Sequence, residues 1–233
     1  MPCTLPASLA DAAVCRGSFH AVLGGEAGEA VFADFSAALQ KAQAEGRILT
    51  ASLFRYENQL FFYAEGLNRP FTPQGLCPAL DAALLLWPPA LGEAAPRPWA
   101  AMQPYFYHDV PTTAADWQQG RCPQRRRGRI ALLPPDSWCS YMEHHLRIVT
   151  EGLVEGDRWH LICVQEGVLF SYLEEPRTNV NIKHRPGAHS PELDAWIAAD
   201  PESHFARFTP EQKAHPDSGH NFVFLPRIAG TED

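Results

Sequence analysis

LFFYAEG at residues 60–66 and LFSYLEE at residues 169–175 carry the same letter at four positions, in a constant register of 109 residues (169 − 60). Each follows an apolar run and a tight turn, at Glu57-Asn58 in one case and at Glu166-Gly167 in the other, which is the pattern of a β-hairpin. An amphipathic segment of helical period stands before each hairpin. The sequence therefore indicates two copies of one structural unit.

Each copy continues in the same way, through a second helical stretch into an aromatic strand. The helical stretches are PALDAALLLW (78–87) and SPELDAWIAADPESHFARF (190–208), and the strands are PYFYHDV (104–110) and HNFVFLPRI (220–228). The order β-α-β-β-α-β is the ferredoxin-like arrangement. We therefore predict an α+β fold of two tandem ferredoxin-like units.

A small sheet with helices on only one face leaves its other face to be covered. Two tandem units can cover each other sheet to sheet, so we expect an intramolecular dimeric α/β barrel and a monomer with an internal pseudo-dimer. The predicted boundaries are 16–112 for the first unit, 113–128 for a linker and 129–229 for the second unit. Pro, Gly and Arg crowd the linker, and the basic run from Arg121 to Arg129 is interpreted as solvated.

Composition excludes several classes of function. The chain has 233 residues, 45% of them apolar, and a net charge of −8, so it can build a core but has no electrostatic footprint for nucleic acid. No apolar run is long enough to span a bilayer, and no signal peptide is expected. The six cysteines form no C-x-x-C pair, which is typical of reduced thiols in a cytoplasmic protein.

The first helix of the second copy carries two groups that can move protons on a face that should be apolar. Tyr141 and His145 are four residues apart, so they lie on one helix face, on the same stripe as Trp138. The first copy has Phe35 and Leu39 in these two places. Since the sibling helix packs with plain hydrocarbon, the phenol and the imidazole indicate a pocket rather than a core.

The segment from Arg129 to Ile228 resembles the L-rhamnose mutarotase family of small dimeric α/β barrel proteins. The resemblance lies in Tyr-x-x-x-His on the first helix, the LF step of VLFSYLEE, the helix AADPESHFARF and the Leu-Pro end of FVFLPRI. It implies interconversion of the α and β anomers of an aldose such as L-rhamnose without metal or cofactor, with Tyr141 and His145 as the catalytic pair. The first unit lacks the pair and is expected to be a degenerate copy.

Opening and reclosing a sugar ring needs a base at the anomeric hydroxyl and an acid at the ring oxygen, tasks that a histidine and a held tyrosine can perform. His160, at the start of the next strand, is a candidate third polar contact. His204 and Phe205 stand where the resemblance implies tryptophans, and they are candidate substrate-binding residues. No metal is expected, because the histidines of NIKHRPGAHS have no cysteine or carboxylate at ligand spacing.

Two other functions stay open at this point. Dimeric α/β barrels also include cofactor-free oxygenases and haem proteins, which would use an aromatic substrate or a proximal histidine. A fused, partly degenerate copy can instead serve as a non-catalytic carbohydrate-binding or regulatory module. The expected partner is a small sugar, with neither nucleic acid nor membrane as a partner, and fold alone does not decide between these functions.

Overall fold

The computed structural model describes residues 5–177, 183–184, 187–212 and 221–231, and within them the chain has a mixed α+β fold. It divides into two compact units. Unit 1 comprises residues 5–102, 111–123 and 226–231, and unit 2 comprises 103–110 and 124–225 except the undescribed positions. No helix in the described part of the chain is long and apolar enough to cross a membrane.

Strands and helices are numbered in chain order. Unit 1 contains β1 (Val14–Val22), α1 (Glu29–Ala44), β2 (Ile48–Tyr56), β3 (Gln59–Leu67), α2 (Pro78–Ala82), β4 (Ala100–Ala101), α3 (Ala114–Gln118) and β12 (Arg227–Gly230). Unit 2 contains β5 (Gln103–Phe106), β6 (Arg125–Leu132), α4 (Pro135–Glu151), β7 (Val154–Glu155), β8 (Leu161–Gln165), β9 (Val168–Glu175), β10 (Lys183–His184), α5 (Pro191–Ala198) and β11 (Val223–Leu225).

Each unit has a five-stranded antiparallel sheet with the same kind of strand order. The order is β12-β2-β3-β1-β4 in unit 1 and β5-β8-β9-β6-β11 in unit 2. The predicted hairpins join β2 to β3 and β8 to β9, where Glu57 and Glu166 adopt positive φ values of 52° and 50°. Tight two-residue hairpins need positive φ in the turn, and here the turn imposes it on glutamates rather than on the glycine or asparagine that adopt it most easily.

The core of unit 1 forms where α1 packs on its sheet. Phe35 and Leu39 are buried together with Phe62 of β3 and Trp99, and the rings of Phe35 and Phe62 meet edge to face with centroids 5.7 Å apart. Aromatic pairs of this geometry add about 0.5–1.5 kcal/mol beyond the area that they bury. These side chains give unit 1 a filled interior on this face of its sheet.

Helix α4 differs from its predicted orientation. Tyr141, His145 and Ile148 are buried as expected, but Trp138 is 42% exposed, so the stripe begins one turn later than predicted. Trp138 lies in the first turn of a helix that starts at Pro135, and the buried residues of that helix begin only at Tyr141. The core therefore does not cover the turn that carries Trp138.

The final strand of each copy is divided, and this corrects the predicted boundaries. In the first copy, β4 pairs with β1 of unit 1, whereas β5 pairs with β8 of unit 2. In the second copy, β11 pairs with β6 of unit 2, whereas β12 pairs with β2 of unit 1. Each sheet thus takes one edge strand from the sequence of the other copy.

The stretch 113–128 is not a solvated linker. Helix α3 begins at an N-cap formed by Thr113 and buries Trp117. The guanidinium of Arg121 binds both carboxylate oxygens of Glu65, at 2.7 and 3.0 Å. The arginines from Arg125 onward belong to β6. The interpretation as linker was wrong because this stretch contains a helix and part of a strand, and because Arg121, Arg126 and Arg127 pair with glutamates far away in sequence.

One buried polar motif occurs in both units. The hydroxyl of Tyr63 donates a hydrogen bond to Glu65 at 2.6 Å, and that of Tyr172 donates to Glu174 at the same distance. In each unit the neighbouring strand places an arginine opposite the glutamate, Arg16 in β1 or Arg126 in β6. The shared letters of the two hairpins therefore correspond to a shared hydrogen-bonded arrangement.

Candidate functional site

A cavity of about 360 Å³ lies inside unit 2. It is bounded by α4, α5, the start of the segment after α5 and the face of the sheet that α4 covers. Its aromatic lining residues are Phe106, Tyr141, Trp196, Phe205 and Phe222, and its polar lining residues are His108, Arg129, His145, Asp157, His160, Ser171, Arg177 and Glu202.

Helix α4 positions the predicted pair. It begins at Pro135, whose missing N–H costs nothing in the first turn. It ends at Glu151 and is capped by Gly152, which adopts φ 68° in the left-handed region. Between these ends, Tyr141 and His145 lie one turn apart, with ring centroids separated by 4.2 Å. Both line the cavity.

The imidazole of His145 is held in one tautomer. Its Nδ1 lies 2.9 Å from the backbone carbonyl oxygen of Tyr141, and since a carbonyl only accepts, Nδ1 carries the proton and Nε2 keeps its lone pair. Burial lowers the pKa of His145 to about 4, although the bond to this carbonyl acts in the opposite direction. His145 is therefore uncharged at neutral pH, with one nitrogen available to accept a proton.

Tyr141 is a neutral hydrogen-bond donor at the same wall. Burial raises its pKa to about 12, so the phenol keeps its proton at neutral pH. Its ring packs edge to face against Trp196 and Phe205, with centroids 5.3 and 5.1 Å away. Burial also raises the pKa of Tyr105, whose ring lies 6.0 Å from that of Tyr141. The contacts with Trp196, Phe205 and Tyr105 hold the ring of Tyr141 in place.

Arg129 was not predicted as a site residue. It projects from β6 into the cavity lining, and its guanidinium lies 4.3 Å from the ring centroid of Phe222. Burial lowers its pKa to about 10, so it still carries a full charge at neutral pH. Sequence reasoning placed it in a solvated run because one strand of arginines looks the same whether the side chains face water or a cavity.

The strand registers show that the cavity of unit 2 lies where the equivalent positions of unit 1 are filled by core side chains. In unit 1 Phe19 of β1 stands opposite Phe62 of β3. In unit 2 the matching pair is Arg129 of β6 opposite Ser171 of β9. Ser171 and Phe62 occupy the same position of the aligned hairpin strands, 109 residues apart (171 − 62), so the mismatch of serine with phenylalanine in that alignment could have indicated the site.

The other predicted residues divide into two groups. His160 and Phe205 line the cavity. His204 does not, although its ring lies 5.2 Å from that of Trp196 and its Nε2 is 3.4 Å from the hydroxyl of Ser140. The structure thus brings Tyr141, His145, His160 and Phe205 to one cavity.

His108 is a further lining residue that the sequence did not single out. Its ring lies so close to Gly156 that a Cβ at that position would come within 1.8 Å of it, so a larger residue there would have to displace the imidazole. Burial, and the charge of Arg177, lower the pKa of His108 to about 4. A second uncharged imidazole therefore faces the cavity.

Metal ligands do not cluster in the described residues, where no group of three or more His, Cys, Asp and Glu side chains could hold an ion. Of the two loop histidines that were considered, the His184 side chain lies outside the described residues. His189 is paired with Asp194, with Nε2 and Oδ2 2.9 Å apart.

Comparison with known proteins returns little. No family model and no curated protein matches the chain. Among solved structures, a chain described as a "putative monooxygenase from Lactobacillus acidophilus NCFM" is similar, with a TM-score of 0.40 and 6% sequence identity over 94% of this chain and 96% of that one.

The mutarotase prediction is corrected by this comparison. The similar structure is described as a monooxygenase, the class of the alternative prediction, and Tyr141 and His145 are no longer assigned to the exchange of sugar anomers. A likeness at this level carries no argument about chemistry. We therefore choose a function from the cavity alone.

Proposed function

We propose that unit 2 is a cofactor-independent oxygenase that acts on a small aromatic molecule with an acidic C–H or O–H group, and that His145 is its general base. The observation that carries the proposal is an uncharged imidazole of fixed tautomer in the wall of an aromatic cavity. The equivalent position of unit 1 is Leu39, in a filled core. Packing alone therefore does not require an imidazole here.

The size and lining of the cavity favour a flat, apolar ligand. A volume of about 360 Å³ lies toward the lower end of the range of roughly 300–1,000 Å³ that small-molecule sites occupy. Phe106, Trp196, Phe205 and Phe222 offer ring faces and edges, and aromatic ligands bind well to such walls because offset and edge-to-face contacts are favourable.

His145 would take the proton that activates the substrate. With a pKa of about 4, the free imidazole is a weak base, but an anion that forms beside it stabilises the imidazolium and raises that pKa. The hydroxyl of Tyr141, which keeps its proton because burial raises its pKa to about 12, can donate a hydrogen bond to the developing oxyanion. Both groups act on the substrate from one helix face.

The remaining chemistry belongs to the substrate and O₂. The carbanion or enolate passes one electron to O₂, the resulting radical and superoxide combine at carbon, and the peroxide takes up the proton held by His145. Loss of water, with the second C–H hydrogen leaving as a proton, gives a carbonyl. The balance is R₂CH₂ + O₂ → R₂C=O + H₂O, so no external reductant is needed.

Oxygen uptake tests the proposal. The purified protein is mixed with anthrone and with 1,4-naphthohydroquinone in an oxygen electrode, and His145→Leu and Tyr141→Phe are compared with wild type. We expect His145→Leu to lower the rate by roughly 10²–10⁴-fold, the usual contribution of a general base. His189→Ala, which removes an exposed histidine, is the matched control and should leave the rate unchanged.

Two results would reject the oxygenase. Uptake no faster than the spontaneous oxidation of either compound would reject it directly, and a visible absorption band in the purified protein would move the chemistry to a bound group. Ligand binding without uptake would leave unit 2 as a binding module, which is the other function considered from the sequence.

We also propose that the two units are tandem ferredoxin-like repeats, as the sequence predicted, and their assembly into one barrel stays part of that proposal. The matching strand orders support the repeat. So does the bond from Tyr63 to Glu65, which recurs from Tyr172 to Glu174.

A further inference from the structure

Arg129 is a charged residue that forms no ion pair with any residue that the structure describes. Strand β6 carries four arginines, Arg125, Arg126, Arg127 and Arg129, and two of them face carboxylates. Arg126 lies 3.5 Å from Glu174, and Arg127 lies 2.8 Å from Glu175. Within the described residues, no Asp or Glu oxygen lies within the 4.0 Å of an ion pair from Arg129, and its Nε makes no hydrogen bond.

The acidic groups around the cavity do not replace that partner. Asp157 lies 3.7 Å from Arg177. The charge of Glu202 raises the pKa of Arg129 somewhat, but its carboxylate forms no ion pair with Arg129 and accepts a hydrogen bond from Asn221. Glu202 is exposed at its position after α5, where water screens its charge. The ring of Phe222 compensates the guanidinium in part, since a cation–π contact is worth about 0.5–2 kcal/mol.

The fold does not need a cation at this position. Its counterpart in unit 1 is Phe19, which packs against the core with its ring 6.3 Å from that of Phe62. Moving a charge away from water without a partner is costly. Unit 2 thus has Arg129 where unit 1 has a phenyl ring, and it has Ser171 opposite where unit 1 has a second phenyl ring. A ligand that supplies the missing anion explains both replacements.

We propose that the ligand of unit 2 is an aromatic acid whose carboxylate is bound by Arg129, with its rings against Trp196 and Phe205. The guanidinium presents a fork of donors that matches a carboxylate. Ser171, which stands opposite Arg129 in the sheet and lines the cavity, supplies a hydroxyl beside it. This inference rests on the proposed function for the location of the site and narrows its substrate class.

Calorimetric titration with two matched probes tests the charge. 2-Naphthoate and 2-naphthamide have the same rings, and only the first carries a charge. We expect wild type to bind 2-naphthoate at least about tenfold more tightly. Arg129→Met should lower the affinity for 2-naphthoate by roughly 10–100-fold, the value of a charge-assisted hydrogen bond. It should leave the affinity for 2-naphthamide nearly unchanged.

Controls separate this role from a general loss of structure. Arg125→Met removes the same charge from the exposed start of the same strand and should not alter either affinity. Arg129→Lys should keep part of the preference for the acid. Thermal melting reports whether each variant is folded. The preference of wild type for 2-naphthoate over 2-naphthamide is measured without any variant, so it does not depend on how the variants fold.

Equal affinity of wild type for the two probes would overturn the inference, as would equal weakening of both by Arg129→Met, or no binding of 2-naphthoate at millimolar concentration. The outcome is separate from that of the oxygenase. A preference for 2-naphthoate without oxygen uptake rejects the oxygenase alone, and uptake without the preference rejects the aromatic acid alone.

Discussion

Replacing Arg121 by methionine should destabilise unit 1 strongly. The guanidinium binds Glu65 through two hydrogen bonds of 2.7 and 3.0 Å, and the two side chains are only 2% and 0% exposed. Glu65 also accepts hydrogen bonds from Tyr63 and Trp117. Arg121→Met removes the guanidinium that binds both oxygens of this buried carboxylate and leaves Arg16, which acts on it through its charge; breaking a buried pair in this way costs about 3–5 kcal/mol.

The expected fall in melting temperature follows from that cost. Chains of this length lose about 2–4 °C per kcal/mol, so Arg121→Met should lower Tm by about 6–20 °C. Arg147→Met is the matched control, because Arg147 pairs with Glu143 on the exposed face of α4 and such pairs contribute less than about 1 kcal/mol.

The pH dependence provides a second, independent test. Burial by itself raises the pKa of Glu65, but the charge and hydrogen bonds of Arg121, together with the hydrogen bond from Tyr63 and the charge of Arg16, outweigh it, so the pKa is lowered overall. In wild type this stabilisation is present above the unfolded pKa and is lost as pH falls through the folded one. In Arg121→Met burial dominates, Glu65 takes up a proton in the native state, and the deficit should shrink from pH 7.5 to pH 5.

Urea unfolding at these two pH values measures the effect. The double variant Glu65→Gln/Arg121→Met removes the stranded charge and should recover part of the loss. A cost below about 1 kcal/mol at pH 7.5, or a deficit that grows on acidification, would refute the role assigned to this pair.

Three further predictions concern the cavity and the exchanged strand. Ser171→Phe introduces the ring that Phe62 has in unit 1, so it should abolish binding of 2-naphthoate in calorimetry, and retained affinity would mean that the probe binds elsewhere. The pKa of His145 is lowered by burial from 6.5 to about 4, so the unfolded chain takes up this proton first and the native state loses stability as pH falls from 6.5 toward 4. His145→Leu should lose less between pH 7 and pH 5 in urea unfolding, and an equal loss would contradict the lowered pKa. A chain that ends at Leu225 lacks β12 and the hydrogen bond that the backbone N–H of Arg55 donates to Pro226. Amide hydrogen exchange should therefore accelerate in β2, while the affinity of unit 2 for 2-naphthoate stays the same. Unchanged exchange would show that β12 is dispensable.

The sequence was sufficient for the features that local pattern determines. The two hairpins follow from alternating apolar residues around a short turn, and α4 follows from its helical period and its proline and glycine ends. The repeat also located Tyr141 and His145, because a polar pair replaced Phe35 and Leu39 at matching positions.

Features that depend on distant partners were beyond such reasoning. Arg121 and Arg129 look alike in the sequence, but Arg121 is paired with Glu65 of β3 and Arg129 lines a cavity. Which strand borders β2 or β8 depends on backbone hydrogen bonds between residues far apart in the chain, and no local periodicity encodes that choice.

The exchange of edge strands has a consequence for biosynthesis. Residues 227–230 leave the ribosome after the whole of unit 2 has been synthesised, so the sheet of unit 1 stays incomplete until then. Residues 103–106 leave it before β8, the strand beside which they belong. A gene cut between α3 and β6 would yield two fragments, each lacking the edge strand that the other encodes. Neither fragment would complete its sheet alone, and we expect the two to complement each other when they are expressed together.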